Sequence, residues 1–261
     1  MGIRGTIPPH IGNLSFLSYF NITSNTFHGH LPSELARLRR LNVVDFGVNN
    51  FGGGVPSWFG NLPKLQYLHL ANNSFTSSVP PSIGNISTLE YLNLRSNFLE
   101  GRVPEEIGHL SKLKTLRMGY NNLLGSIPST IFNISSLEII DFTIISLSYN
   151  KFAGFIPKAI ENLTLLQIFY ISVVITLKGE IPQELGGLHS LEMLGIESAN
   201  VTSLIPSSIF NISSLKGLIL HTNNLFGSLP RAINNCTLLS LVYIDKNLTD
   251  RSELRTTRED R

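Results

Sequence analysis

The sequence predicts an α/β solenoid, with a curved, superhelical parallel β-sheet on its concave side and loops and short 3-10 or α turns on its convex side. Three observations carry this. Proline recurs at positions 8, 32, 56, 80, 104, 128, 157, 182, 206 and 230, so seven of the nine gaps are 24 residues and the others are 29 and 25. Within each unit leucines alternate with polar residues, as in Leu65-Gln-Tyr-Leu68-His-Leu70, which is the period of a strand with one buried side. The remaining residues of the unit carry a second apolar set, such as Phe75, Val79, Ile83 and Ile86, able to fill the coil from behind. A repeat of this length means stacked units around one continuous core.

Taken in order along the unit, the strand comes first, and successive strands must lie parallel, about 4.8 Å apart. Next comes an asparagine, seven positions before the proline, at Asn25, Asn49, Asn73, Asn97, Asn121, Asn150 and Asn223. It falls where the chain leaves the strand and its backbone groups lose their partners. A carboxamide both donates and accepts, so a column of asparagines can satisfy those groups, with roughly 1–3 kcal/mol at stake in each. A glycine three before the proline (Gly5, Gly29, Gly53, Gly101, Gly125, Gly154, Gly179, Gly227) suits a tight turn, and the proline then fixes the backbone dihedral. Ser77 and Ser203 replace that glycine in two units.

Some units depart from the pattern. Ala199 stands where the asparagine belongs, and Ile171 to Leu177 carries an extra residue and no asparagine, so local distortion is expected there. An insertion at Phe142 to Ser146 accounts for the 29-residue gap and predicts a bulge or outward loop at that strand's edge. The repeat domain is assigned to residues 1–249, about ten units with the first and last incomplete, and a polar C-terminal tail to 250–261. Because solenoid ends require polar caps and this chain starts in mid-unit, a piece of a longer protein is expected.

Composition excludes several functions. The net charge of +2 is small and the basic residues are scattered, so the stripe that nucleic-acid binding requires is missing. Cys236 is the only cysteine and falls where other units carry Leu62, Ile86, Leu110 or Ile212, so it reads as a small buried hydrophobe. Nothing approaches the ~18 apolar residues of a membrane span; the run Ile168 to Leu177 is too short and contains Tyr170, Ser172 and Thr176. The start Met-Gly-Ile-Arg-Gly-Thr fits a loose acylation pattern, but the repeat phase already accounts for it. Carboxylates such as Asp45, Asp141 and Asp245 stand whole repeats apart, the seven histidines lack metal-ligand spacing, and no nucleophile, phosphate-loop or kinase motif occurs. No catalysis, cofactor or metal is expected.

The full unit, L-x-x-L-x-L-x-x-N-x-(L/F)-x-G-x-(I/V/L)-P-x-x-(I/L/F)-G-N-(L/I), resembles the plant-specific class of leucine-rich repeats, over residues 3 to about 249. Gly84-Asn-Ile-Ser-Thr-Leu89 and Val103-Pro-Glu-Glu-Ile-Gly-His-Leu110 are most similar to ectodomains of plant receptor-like kinases, particularly the subfamily that includes immune receptors for microbial patterns. The resemblance implies a module that binds an extracellular peptide or protein and recruits the ectodomain of a shorter co-receptor kinase, while a separate cytoplasmic serine/threonine kinase domain signals. It also implies the extracellular side of the plasma membrane, as part of a longer receptor, or secretion. Two related readings are a receptor-like protein without a kinase and a secreted protein resembling polygalacturonase inhibitors, whose cysteine-bearing caps Cys236 alone fits poorly. Cytosolic immune receptors also carry such repeats, but seldom with this regular pattern.

Two features point outward. Between the inward leucines, one column reads Tyr19, Val43, Tyr67, Tyr91, Thr115, Ile139, Ile168, Met193 and the next Asn21, Asp45, His69, Asn93, Arg117, Asp141, Tyr170. A ligand patch is expected at Tyr67, His69, Tyr91, Arg95, Arg117 and Tyr120, because aromatic and arginine side chains dominate hot spots and an arginine pair can hold a carboxylate. Ten N-x-(S/T) sequons, at Asn13, Asn21, Asn72, Asn85, Asn133, Asn162, Asn200, Asn211, Asn235 and Asn247, against roughly four expected from composition, point to the secretory pathway.

Overall fold

The computed structural model describes residues 2–142, 151–172, 176–177 and 179–247. Among them, ten strands form one all-parallel sheet, in chain order from Tyr19–Asn21 to Leu241–Tyr243. The register advances by one repeat per strand, so Leu68 stands beside Val44 and Leu92, and Leu92 beside Leu116. Alternation decides which side is buried. Leu68 and Leu70 are wholly inside, while Tyr67 and His69 stay partly exposed on the other face.

The strand ends because the residue before the ladder asparagine turns left-handed. Ser24, Val48, Asn72, Ser96, Tyr120, Thr222 and Lys246 all have φ between 53° and 57°. The β-branched Val48 and Thr222 resist that conformation, yet the neighbouring repeat holds them in it through hydrogen bonds such as Val48 N to Ala71 O, 2.9 Å, and Thr222 N to Asp245 O, 3.0 Å. Beyond the asparagine the chain forms a second strand, and these assemble into two parallel four-stranded sheets, Arg4–Gly5 to Ser74–Thr76 and Glu100–Gly101 to Thr176–Leu177. The repeating proline, extended at φ from −56° to −72°, then opens a single five-residue 3-10 turn, from Pro9–Asn13 in the first unit to Arg231–Asn235 in the last. So short a turn is closed by bonds back over three residues, as from Ile11 N to Pro8 O, 3.1 Å, and from Leu14 N to Ile11 O, 2.9 Å.

Both apolar sets meet in one continuous core running from Ile7 to Cys236. Phe75, Val79, Ile83 and Ile86 close it from behind the sheet. In the first half Phe27 stacks on Phe51 of the next repeat at 6.2 Å, and Phe51 lies tilted beside Phe46 of its own repeat at 5.9 Å. Each fully buried Leu, Ile or Phe contributes about 1.5–3 kcal/mol.

The asparagines tie adjacent repeats together. Asn121, fully buried, accepts from Leu99 N at 3.0 Å and donates to Leu94 O and Met118 O, each at 3.0 Å. Asn49, Asn73 and Asn97 make the same set one repeat apart, and Asn25 caps the column by accepting from Ile3 N at 2.8 Å. Each carboxamide of Asn49, Asn73, Asn97 and Asn121 thus accepts from one N–H and reaches three carbonyls, the third two residues back in its own turn, as from Asn121 Nδ2 to Gly119 O at 3.2 Å.

The irregular units solve the same problem differently. Where Ala199 replaces asparagine, the expected distortion falls in the turn, where Ser198 and Asn200 are both left-handed at φ 50° and 54°, while Ile168–Ser172 and Met193–Glu197 run to five residues and pair in unbroken register. The longer strands keep more backbone groups within the sheet ladder. Asn223 adds to this, accepting from both Ala199 N at 3.0 Å and Val201 N at 3.2 Å. The two serines diverge. Ser77 adopts the left-handed φ of 65°, as glycine does there, whereas the Ser203 hydroxyl accepts from Ile181 N at 3.3 Å. Asn150, the insertion after Phe142, residues 173–175 and the 250–261 tail lie outside the described residues.

Cys236 lies in the core, with its sulfur 3.5 Å from the carbonyls of Phe210 and Ile212, and burial pushes its thiol pKa upward. Iodoacetamide should therefore label it slowly in the native chain and readily in denaturant, which mass spectrometry will read. Asn121→Ala should cost on the order of 3 kcal/mol, because it orphans several buried backbone groups. Asn85→Ala, on an exposed side chain, should stay within about 0.5 kcal/mol. Urea unfolding of the two variants checks this.

Candidate functional site

The outward side chains of the long sheet form two clusters. The first is centred on a pair of tyrosines. Tyr67 and Tyr91 are register partners on adjacent strands, and the sheet spacing stacks their rings face to face at 4.3 Å and 9°. His69 presents its ring edge-on to both, at 6.2 and 6.3 Å. Its Nδ1 lies 3.0 Å from Asp45 Oδ1 without the alignment of a hydrogen bond. His69 fits because Gly47 leaves it room: a Cβ on Gly47 would meet the imidazole at 2.7 Å. Burial first, and then the adjacent Tyr91 and Asp45, hold the Tyr67 phenol well above its ordinary range, so it stays a neutral hydroxyl.

The arginines follow on the next strands. Arg95 lies over the Tyr120 ring at 4.4 Å, a placement that depends on the left-handed backbone of Tyr120. Its Nη1 reaches Asp141 Oδ2 at 3.4 Å, two strands away. Arg117 pairs in register with Asn93 and Asp141, and its buried Nε has no hydrogen-bond partner. The two arginines are therefore not equivalent. Arg95 is already engaged by a carboxylate and a ring, while Arg117 keeps an unspent donor. The six residues of the expected patch all sit on this face, partly exposed. Asp141 was not among them; its signal was its place in the same outward column as Arg117.

A second cluster, missed by sequence reasoning, lies further along. Tyr170 donates to Glu197 Oε2 at 2.7 Å, and His221 Nε2 lies 3.3 Å from Glu197 Oε1, with the His221 ring edge-on to Tyr243 at 6.5 Å. Burial, then the hydrogen bond to Glu197, raises the Tyr170 pKa. Glu197 projects here only because its strand is extended to five residues, which repeat counting does not reveal.

Away from this face, a groove of about 770 Å³ opens on the flank between the exposed side chains of Phe155, Leu204 and Phe226, rimmed by the Lys158–Glu184 pair at 3.1 Å. Of the ten sequon asparagines, nine are exposed, and six of them (Asn13, Asn85, Asn133, Asn162, Asn211 and Asn235) end 3-10 turns. Asn247 is half-buried. Among the described residues no group of three or more His, Cys, Asp or Glu side chains comes together as a metal site, and no helix is long and apolar enough to cross a membrane.

The chain matches the Leucine rich repeat family over residues 39–99, and repeats of the Leucine Rich Repeat family over 112–134 and 141–163. Receptor-like protein 39 of Arabidopsis thaliana is 35% identical over 78 residues, 30% of this chain and 9% of that protein. The solved plant peptide hormone receptor RGFR1 in complex with RGF2 superposes with a TM-score of 0.89 at 31% identity, covering 94% of this chain and 38% of that one. The PEPR1–AtPEP1 structure superposes at 0.78 and 32% identity, covering 94% and 37%. The chain spans well under half the length of each.

The stacked tyrosines should couple. A double-mutant cycle over Tyr67→Ala and Tyr91→Ala should give an interaction of about 0.5–1.5 kcal/mol in denaturant unfolding. A coupling indistinguishable from zero would mean that the stack is not an energetic unit.

Proposed function

Because the chain is a leucine-rich repeat solenoid with the backbone of plant receptor ectodomains, we propose that it is the extracellular recognition module of a plant leucine-rich repeat receptor-like serine/threonine kinase. It binds a peptide or protein ligand on the strand face and signals by pairing with a co-receptor kinase ectodomain. The observation that carries this reading is the outward tyrosine–histidine–arginine surface on a fold whose similar solved structures are described as a peptide hormone receptor with RGF2 and as PEPR1–AtPEP1.

The physics suits binding. A parallel sheet held by a continuous core and a ladder of amides is rigid, so little ordering entropy opposes association. Tyr67, Tyr91 and Tyr120 supply large contact area with few rotatable bonds. Arg117, partly exposed on the strand face, is the anchor for a ligand carboxylate through its guanidinium, and Arg95 can join it by exchanging Asp141 for the ligand. The ten sequons support an extracellular address, at the plasma membrane as part of a longer receptor. The likeness to Receptor-like protein 39 favours one alternative, a receptor-like protein without a kinase. Phosphorylation chemistry is assigned to no residue of this chain.

The test uses secreted chain and a panel of synthetic peptides with free C-terminal carboxylates, with affinities measured by calorimetry. Arg95→Ala with Arg117→Ala should weaken the selected binder by about thirty-fold or more, the scale of a hot spot. Asp141→Asn should act in the opposite direction, tightening binding a few-fold, because it frees Arg95 from its internal carboxylate. Unchanged affinity in the double variant would remove the strand-face site.

A further inference from the structure

The sequon at Asn247 differs from the other nine. Its Nδ2 donates to Leu220 O at 3.0 Å and to Ile244 O at 2.5 Å, and its Oδ1 accepts from Leu225 N at 3.1 Å. This is the work that Asn223 does one repeat earlier, where Nδ2 donates to Ile196 O at 2.7 Å and Leu220 O at 3.0 Å while Oδ1 accepts from Val201 N at 3.2 Å. The repeat register places Asn247 in the ladder, seven positions past Ser240 just as Asn223 lies seven past Lys216, while the sequence Asn247-Leu248-Thr249 also makes it a glycosylation acceptor. Asn73, Asn97 and Asn121 carry no such sequon.

The two roles compete for the same hydrogens. In N-glycosylation the carboxamide nitrogen attacks the anomeric carbon of a lipid-linked oligosaccharide donor. A C–N bond forms, the lipid pyrophosphate leaves, and one amide proton is lost to base. Nδ2 then keeps a single hydrogen and cannot serve both Leu220 O and Ile244 O. The sugar would also have to occupy the space between two stacked repeats, whose ladder atoms are about 3 Å apart. We propose that glycosylation of Asn247 and closure of the Leu241–Tyr243 repeat onto its predecessor are mutually exclusive, so that this sequon is a covalent latch on the last described repeat. Opened, it exposes the edge of the Gly217–Ile219 strand and the apolar Leu218 and Leu220 beneath it; unmodified, the repeat stays shut. The nine exposed sequons have no such conflict.

The biological relevance of the latch rests on the extracellular reading above, but its test does not. The full chain, fused to a host signal peptide, is secreted from a glycosylating eukaryotic cell as wild type, Thr249→Ala and Asn223→Ala. Thr249→Ala destroys the sequon and leaves the Asn247 amide. Glycopeptide mapping and hydrogen exchange at the Leu225 amide are the readouts. Where wild type carries a glycan at Asn247, Leu225 should exchange about tenfold faster or more than in Thr249→Ala; equal protection overturns the proposal. Where wild type is empty at Asn247 but filled at exposed sequons, loosening the preceding rung with Asn223→Ala should raise occupancy at Asn247, and continued vacancy overturns it. Mapping the protein from its native tissue tests the extracellular reading separately: bare asparagines at Asn13, Asn85 and Asn133 would sink that reading and leave the latch result standing.

Discussion

Every repeat must bring the chain back to within one strand spacing, about 4.8 Å, of where it started. This constraint governs the molecule. A strand that stops after three residues abandons N–H and C=O groups inside an apolar coil, where each unsatisfied group costs about 1–3 kcal/mol. The asparagine column resolves this, since one amide per repeat reaches backward to its neighbour's carbonyl and N–H as well as to its own turn. The left-handed residue before it, the glycine after it and the proline that opens the 3-10 turn all serve the same closure. Where the asparagine is missing at Ala199, the strand lengthens.

Rigid stacking also explains the outward face. Side chains one repeat apart are forced into register, so like residues stack and unlike charges meet. Tyr67 on Tyr91, Asp45 beside His69, and Glu90 with Lys114 at 2.8 Å are all register effects. A binding surface built this way is continuous and pre-organised, and its specificity lies in which columns change character along the solenoid. Here an aromatic and basic stretch from Tyr67 to Tyr120 gives way to a cluster around Glu197.

Much of this was legible in the chain. The period, the strand alternation, the ladder positions and the columns come from spacing alone, because a 24-residue unit leaves few ways to return. The six patch residues do share one face. Contacts that skip a strand were not legible: Arg95 reaching Asp141 depends on rotamers and on the left-handed Tyr120, which no pattern announces. The Tyr170–Glu197–His221 cluster was hidden for the same kind of reason, since repeat counting expects the strand to have ended before Glu197. Asn247 looked like a glycan acceptor because a sequon is a local string, whereas ladder membership is a matter of what lies one repeat away.

The sequence by itself determined the class of fold, the repeat unit, and the inward and outward assignment of nearly every residue in the regular units. Those properties follow from periodicity, which is local and survives without coordinates. Only the tertiary structure decided which polar groups are already spent on one another: Arg95 on Asp141, Glu197 on Tyr170 and Asn247 on Leu220 and Leu225. Hydrogen-bond capacity is finite and directional, so what a side chain can offer a partner depends on atoms brought near it from other repeats.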